Sequence, residues 1–495
     1  MPTGKYLGLS AGIGLFVVIL LLPEPTGMTV AAKNAAAVVV LMSTWWISGA
    51  IPIYVTAFVP LALFPMLKIL PAGETAQNYG HSYVLMLLAG FILAKAIESQ
   101  NLHRRIACLL MSAFGTSRRI ILLSIMVTVA FISMWISNVT TTVLMLPIAL
   151  AIIAQEENGM DESSKFPKAL MFGVAYSATI GGVGTLIGSP TNLIFAGITE
   201  KLFPGAPPVT FYNWLKMGFP VMIIFLPLVW IYLVKYFHIS GRLVQNANDR
   251  KQALKNLGKM TTGEKGVLFI FLLAVFGWVF KDGFIFGNLI IPGWGKLFRL
   301  DSYIHDSTVA MVCAILLFIL PDGKGKPLID WKQASQIPWG VAMIVGGGFA
   351  LAESFKTTGL AEWIGNQLYF INALPPLIVL ILVLVFIMVF TEFNPNTATV
   401  NIFLPVLASM GIAAKTNPLL LMIPATIASS FAFMMPVGTG PNTVIFGSER
   451  ISVADMAKCG LWLKLISLVL LVLILYFIVM PSLHMETSLP SWAEQ

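Results

Sequence analysis

Charge is scarce in this sequence. Only 11% of its 495 residues are Asp, Glu, Lys or Arg, where a soluble protein carries about 25%. With 57% hydrophobic residues and a mean hydropathy of +0.86, a soluble globular chain is excluded and a polytopic membrane protein is expected. Cysteine is scarce too. Cys108, Cys313 and Cys459 form no C-x-x-C pair and are odd in number, so neither a zinc site nor a disulfide framework is indicated. No G-x-x-x-x-G-K-[ST] is present, so the chain has no P-loop of its own. No H-E-x-x-H occurs among His81, His103, His238, His305 and His484, which argues against a metalloprotease. "GLSAG" (8–12) fits the nucleophile-elbow pattern, but it opens an apolar span rather than following a strand.

Long apolar runs dominate what remains. They lie at about 6–22, 30–48, 51–70, 82–98, 168–187, 212–236, 266–290, 306–321, 338–354, 417–437 and 459–481, about eleven crossings of roughly 20 residues each. The first is read as a span rather than a signal peptide, since no small-residue cleavage site follows it. Two further apolar segments, 118–155 and 375–413, are interrupted near their middles by polar residues. The net charge of +8 comes largely from the loop after the sixth span, and does not point to nucleic acid. That loop holds Lys235, Arg242, Arg250, Lys251, Lys255, Lys259 and Lys265 against Asp249 and Glu264. A basic loop stays cytoplasmic. The N-terminus is then cytoplasmic and the C-terminus outside, where the tail "SLHMETSLPSWAEQ" has no Lys or Arg. Tryptophans such as Trp45, Trp46 and Trp214 are expected in interfacial belts.

The chain repeats itself. Gly90-Phe91 matches Gly348-Phe349, and the same offset takes Leu102 to Leu360, Asn138 to Asn396, Thr141 to Thr399 and Pro147 to Pro405. The polar interruptions "SNVTTT" (137–142) and "NPNTAT" (394–399) are therefore mates. Each is followed by a second break, "GTLIGSPTN" (184–192) and "VGTGPN" (437–442), which pairs Gly188 with Gly438, Ser189 with Thr439 and Asn192 with Asn442. An odd number of spans between the copies inverts the second one if the interrupted segments turn back, and inverted repeats with polar breaks near the midplane are a transporter pattern.

The breaks have a physical use. A helix cut inside a bilayer leaves backbone groups unsatisfied. Free N–H groups carry partial positive charge and suit an anion, while free carbonyls suit a small hard cation. Asn offers an oxygen to a cation and an N–H2 to a carboxylate. Two such clusters could hold the two ends of a dicarboxylate. One Asn-Thr cluster alone could equally be a helix–helix hydrogen bond or a back-bonded hydroxyl; four in matched positions weaken that reading. No Arg or Lys lies within either interruption or break. A bound dianion is then balanced by helix ends, hydrogen bonds and co-bound cations, because an uncompensated buried charge costs several kcal/mol or more. Lys95/Glu98 and their mates Glu353/Lys356 are expected to be helix-end salt bridges.

"SMWISN" (133–138), "VAYSATIGGVGTLIGSPTN" (174–192), "TEFNPNTAT" (391–399) and "MMPVGTGPN" (434–442) closely resemble the divalent anion/sodium symporter family, the INDY-type dicarboxylate carriers. The resemblance implies an all-α polytopic homodimer with eleven spans, two re-entrant hairpins, an inverted-topology repeat and elevator-type transport. It implies a first cation site of Ser133, Ser137, Asn138 and Gly188, and a second of Thr391, Asn394, Asn396 and Gly438. Substrate carboxylates would meet Asn138, Ser189, Asn396, Thr397 and Thr439. The family usually has Thr where Val139 stands and Ser where Pro395 stands. Val139 removes a hydroxyl for which Thr140 is the candidate replacement, and these departures keep sodium-independent exchange open.

The expected domains are a first helix (1–29), a first repeat (30–237) with hairpin 118–155 and break 188–192, a basic linker (238–265), a second repeat (266–481) with hairpin 375–413 and break 438–442, and an outer tail (482–495). The expected function is Na+-coupled symport of C4/C5 dicarboxylates across the cell membrane. The alternatives are a dicarboxylate exchanger and an anion channel. No enzyme activity is expected, and no cofactor beyond Na+ as coupling ion.

Overall fold

The computed structural model describes residues 3–112, 117–157, 165–241, 257–286, 289–368 and 373–494. Most of the expected basic linker, with Arg242, Asp249, Arg250, Lys251 and Lys255, lies outside these residues.

The first half contains α1 (Thr3–Leu21), α2 (Val30–Ser48), α3 (Ile53–Thr56), α4 (Val59–Met66), α5 (Ala72–Gln77), α6 (Ser82–Ser99), α7 (Leu102–Ser112), α8 (Arg118–Ser133), α9 (Asn138–Glu157), α10 (Phe166–Val183), α11 (Pro190–Leu202) and α12 (Phe211–Tyr236). The second half contains α13 (Thr262–Val279), the antiparallel ribbon β1 (Gly283–Phe286) and β2 (Leu289–Pro292), α14 (Trp294–Leu297), α15 (Asp306–Ile319), α16 (Trp331–Ala334), α17 (Trp339–Thr357), α18 (Leu360–Gln367), α19 (Pro376–Phe390), α20 (Asn396–Ala413), α21 (Leu419–Ser430), α22 (Gly440–Phe446) and α23 (Val453–Ile474).

Several helices begin where the sequence supplies an oxygen for their free N–H groups. Thr29, Ser117 and Thr210 cap α2, α8 and α12. Thr261 with Glu264 and Ser452 with Asp455 form capping boxes on α13 and α23. Among the described residues, seven helical stretches are long and apolar enough to cross a membrane, and five shorter apolar ones accompany them.

Several expected runs are not single rods. The run 51–70 divides into α3 and α4, since Pro60 has no N–H to continue the helix. The run 266–290 stops at Val279, and the chain turns through Gly283 (φ +87°) into the ribbon, which the apolar pattern did not foretell. The two breaks fall at 184–189 and 431–439, slightly before the expected 188–192 and 438–442. Pro190 and Pro441 cause the shift: each sits in the first turn of the next helix, where a missing N–H costs nothing. Trp46 and Trp214 are buried rather than interfacial; their indole N–H groups donate to Ile53 O and Val183 O.

In lipid the helices gain little by burying apolar side chains, so close approach and hydrogen bonds hold them. α8 and α10 touch closely because a Cβ on Gly181 would overlap the Ala130 carbonyl. At the centre, Tyr176 of α10 donates to Phe433 O at 3.0 Å, and Phe225, Phe431 and Phe433 pack around that bond. The second break is thus anchored on a helix of the first half.

Candidate functional site

The two interrupted segments are helix–turn–helix pairs. α8 and α9 are joined by 134–137, and α19 and α20 by 391–395. At the first turn Ser133 Oγ lies 2.8 Å from Asn138 Oδ1 and 2.7 Å from Ala178 O. One hydroxyl proton serves only one of them, so oxygens crowd together here. The second turn repeats this: Thr391 Oγ1 lies 3.0 Å from Asn396 Oδ1 and 2.5 Å from Ser429 O. The Asn396 amide has Ser429 O at 3.0 Å, Thr391 Oγ1 at 3.0 Å and Gly438 O at 3.2 Å on one side. With its nitrogen turned to them it donates a hydrogen bond; with its oxygen turned to them four oxygens face one another, which suits a cation. Asn394 adds a buried Oδ1 without a hydrogen-bond partner among the described residues, while its Nδ2 donates to Phe390 O at 3.0 Å. It offers the oxygen that Pro395 does not.

Thr140 does not supply the hydroxyl that Val139 lacks. Its Oγ1 turns back to Ser137 Oγ at 2.8 Å, and Ser137 Oγ also accepts from Thr140 N. Val139, in the first turn of α9, is 44% exposed and contacts Gly440, the first residue of α22, so the first interruption and the end of the second break meet. α9 packs on α22, and α20 on α11: each turn's helix rests on the other half's broken helix. Thr191 Oγ1 in α11 and Ser430 Oγ at the end of α21, 3.2 Å apart, link the helices that flank the two breaks. Thr397 stands in the first turn of α20 beside Asn396.

Each break is stapled by an asparagine. Asn192 Nδ2 donates to Gly182 O and Thr185 O at 2.9 and 2.8 Å, and Asn442 Nδ2 to Ala432 O and Met435 O at 2.9 and 3.0 Å. These acceptors are repeat mates, so Asn192 and Asn442 hold the loops open. Gly188 lies against Gly182 O and Met134 O, where a side chain would collide. Gly438 lies against Ala432 Cβ and Glu392 O, the mates of those positions. Thr439 Oγ1 accepts from Asn442 N at 3.4 Å and caps α22. Ser189 stands at the same place on α11 without capping it; its hydroxyl meets Thr191 Oγ1 at 2.8 Å.

A cavity of about 340 Å³ opens onto the first turn. Its walls include Ser137, Val139, Thr140, Val143, Lys95 and Glu98. Lys95 and Glu98 pair at 3.1 Å as expected, but they line this approach rather than only a helix end. The mate pair does not form: Glu353 instead meets Lys201 at 3.1 Å and Asn78 Nδ2 at 2.7 Å.

No Lys or Arg lies within the second break, yet one reaches it from another helix. Glu392, in the turn itself, and Lys464, in α23, are buried and pair at 2.8 Å. The carboxylate accepts from Phe433 N at 2.9 Å, Met434 N at 3.1 Å and Met435 N at 2.9 Å. Sequence reasoning missed both residues. The signal was there: one Glu and one Lys stand in separate apolar runs, and a charge at that depth needs a partner.

Two matched halves, each with a polar turn and a stapled helix break, interlock at the centre of a predominantly helical membrane protein. This is the architecture of a membrane transporter, not of an enzyme. The chain belongs to the family described as the sodium:sulfate symporter transmembrane region, whose model matches residues 3–483. A sodium-dependent dicarboxylate transporter, SdcS, of Staphylococcus saprophyticus is 39% identical over 98% of this chain and 94% of that protein. SdcS of Staphylococcus aureus strain MRSA252 is 38% identical over 99% and 94%. Among solved structures, Neisseria gonorrhoeae MtrF aligns with a TM-score of 0.56 at 12% identity, covering 97% of this chain and 95% of its own. The Alcanivorax borkumensis YdaH transporter aligns at 0.54 and 14%, covering 96% and 98%. These two share the fold alone.

Proposed function

We propose that this chain carries C4/C5 dicarboxylates into the cytoplasm in symport with Na+. The observation that carries the reading is the oxygen nest around Asn396 and its mate around Asn138. Neutral oxygens take a cation there, while amide nitrogens and helix N-termini remain for a carboxylate. The first cation site is Ser133, Ser137, Asn138 and Gly188; the second is Thr391, Asn394, Asn396 and Gly438. The substrate contacts are Asn138, Ser189, Asn396, Thr397 and Thr439, with Val139 an apolar wall and Thr140 bracing the turn. The names of the 38–39% identical relatives support sodium and dicarboxylate over the sulfate of the family's description.

In this reading α8–α9 and α19–α20 are re-entrant, eleven segments cross the cell membrane, the N-terminus is cytoplasmic and the C-terminus outside, and the carrier is a homodimer. The two repeats keep the domain limits expected above. An elevator motion is supported by one pair of mates. Gly348 of α17 touches the Asn401 side chain of α20, which also donates to Ile344 O at 3.1 Å. Gly90 and Val143, at the same offset, do not touch: Val143 is 51% exposed on the cavity wall. One half is closed where the other is open, and exchanging the two arrangements gives alternating access.

The test is radiolabelled succinate uptake into proteoliposomes, with an imposed sodium gradient compared against internal dicarboxylate. Uptake driven by the gradient supports symport. Uptake that needs internal dicarboxylate and ignores sodium identifies an exchanger, and current without saturation a channel.

A further inference from the structure

The buried pair Glu392–Lys464 has a counterpart, and the counterpart is not charged. At the hairpin offset, Glu392 is the mate of Met134. The mate of Lys464 follows from α12 and α23. Gly218 of α12 touches the Val183 carbonyl and Gly460 of α23 touches the Phe433 carbonyl; Val183, the last residue of α10, and Phe433 are mates at the break offset. This register sets Met222 opposite Lys464. The structure agrees, because a Cβ on Gly184 would lie 2.9 Å from Met222 Sδ and 3.2 Å from Met134 Cγ. Gly184 is the mate of Met434, whose N–H donates to Glu392. Two methionines therefore meet the first break where a glutamate and a lysine meet the second.

The two fillings act differently on the backbone. The carboxylate ties three elements together: the turn 391–395, the loop 433–435 and α23. Glu392 is next to Thr391, and its Oε2 would lie 3.2 Å from a Cβ on Gly438. Thr391 Oγ1 and Gly438 O are two of the three oxygens around Asn396. The methionine side chains offer no hydrogen bond to their loop. There Thr185 Oγ1 takes Gly188 N at 3.1 Å and reaches Met134 O at 2.5 Å, a lighter tie.

We infer that Glu392 and Lys464 are positioning residues for the second cation nest, holding Thr391 Oγ1 and Gly438 O around Asn396 before the ion arrives, and that the first nest has no such brace. Neither residue is placed among the cation ligands. The inference rests on the sodium-symport reading and assigns its two cation sites different degrees of preorganisation. Outer partners of metal ligands set affinity through geometry, and losing one costs about 10- to 100-fold.

The experiment measures succinate uptake by wild type, Glu392→Gln, Lys464→Met and Glu392→Met/Lys464→Met in proteoliposomes over a range of sodium. The double variant places the first half's two methionines at these positions and leaves no unpaired charge. The expected result is a sodium half-saturation raised about tenfold, with the succinate KM at saturating sodium unchanged. Stabilisation of the purified double variant by NaCl over KCl, read by thermal shift without succinate, falls in parallel. A folded double variant with wild-type sodium dependence overturns the inference, as does an equal loss in sodium response and saturated succinate KM. Should the double variant fail to fold, Glu392→Asp carries the test: its shorter reach must raise the sodium half-saturation, and an unchanged value overturns the inference. Wild-type uptake that ignores sodium defeats the symport reading instead, so the two failures are distinguishable.

Discussion

The two halves share a backbone plan and differ in what fastens it. Asn192 and Asn442 staple mate carbonyls with bonds of 2.8–3.0 Å, and Ser133 and Thr391 each sit between an amide oxygen and a backbone carbonyl. Behind these matched frames, one break rests on two methionines and a threonine, the other on a buried ion pair. Duplicated geometry therefore does not imply duplicated stiffness. A carboxylate accepting several N–H bonds fixes a loop, whereas thioethers fill space and adapt.

The comparison is broken most severely at the amides. Asn138→Ala and Asn396→Ala each leave a charged guest without a partner, at a cost of about 3–5 kcal/mol. Succinate uptake in proteoliposomes is expected to fall to background in both, with elution and thermal stability kept. Uptake retained by either variant removes that residue from the site.

The staples come next. Asn192→Ala and Asn442→Ala each leave one buried carbonyl unmet, Gly182 O or Ala432 O, and should destabilise the protein by about 1–3 kcal/mol in thermal or denaturant unfolding. Near-equal losses support the matched frame. A much smaller loss for Asn442→Ala would mean that Glu392 and Lys464 hold the second loop without it.

Val139→Thr sharpens the contrast between the turns. A hydroxyl added beside Asn138, worth about 1 kcal/mol, should lower the succinate KM several-fold. The mirror change, Thr397→Val, should raise it by a similar factor. The smallest effect is expected at Lys95, on the cavity wall. Lys95→Met should raise the succinate KM only a few-fold, and the difference should shrink with added salt as screening weakens a partly exposed charge. A loss as large as that of Asn138→Ala would move Lys95 into the binding site.

Much of this was legible without coordinates. The offset between Asn138 and Asn396, the pairing of Gly188 with Gly438 and the membrane class all come from residue types and spacing, because bilayer cost and helix breaking act locally on the chain. The near-miss at the breaks is also local, since Pro190 and Pro441 belong to the following helices. The split at Pro60 and the ribbon after Val279 were hidden because a hydropathy window averages over such short features.

The order of residues alone determined that this chain lives in a bilayer, folds as two related halves and gathers Asn, Ser and Thr where its helices break. Composition and periodicity are enough to impose those features. Only tertiary structure decided that Val139 reaches the opposite break, that Thr140 turns away, that Glu353 chooses Lys201 over Lys356, and that Glu392 finds Lys464 across 72 positions of chain. Such pairings depend on which helices touch, and a buried charge takes the partner that packing brings within reach.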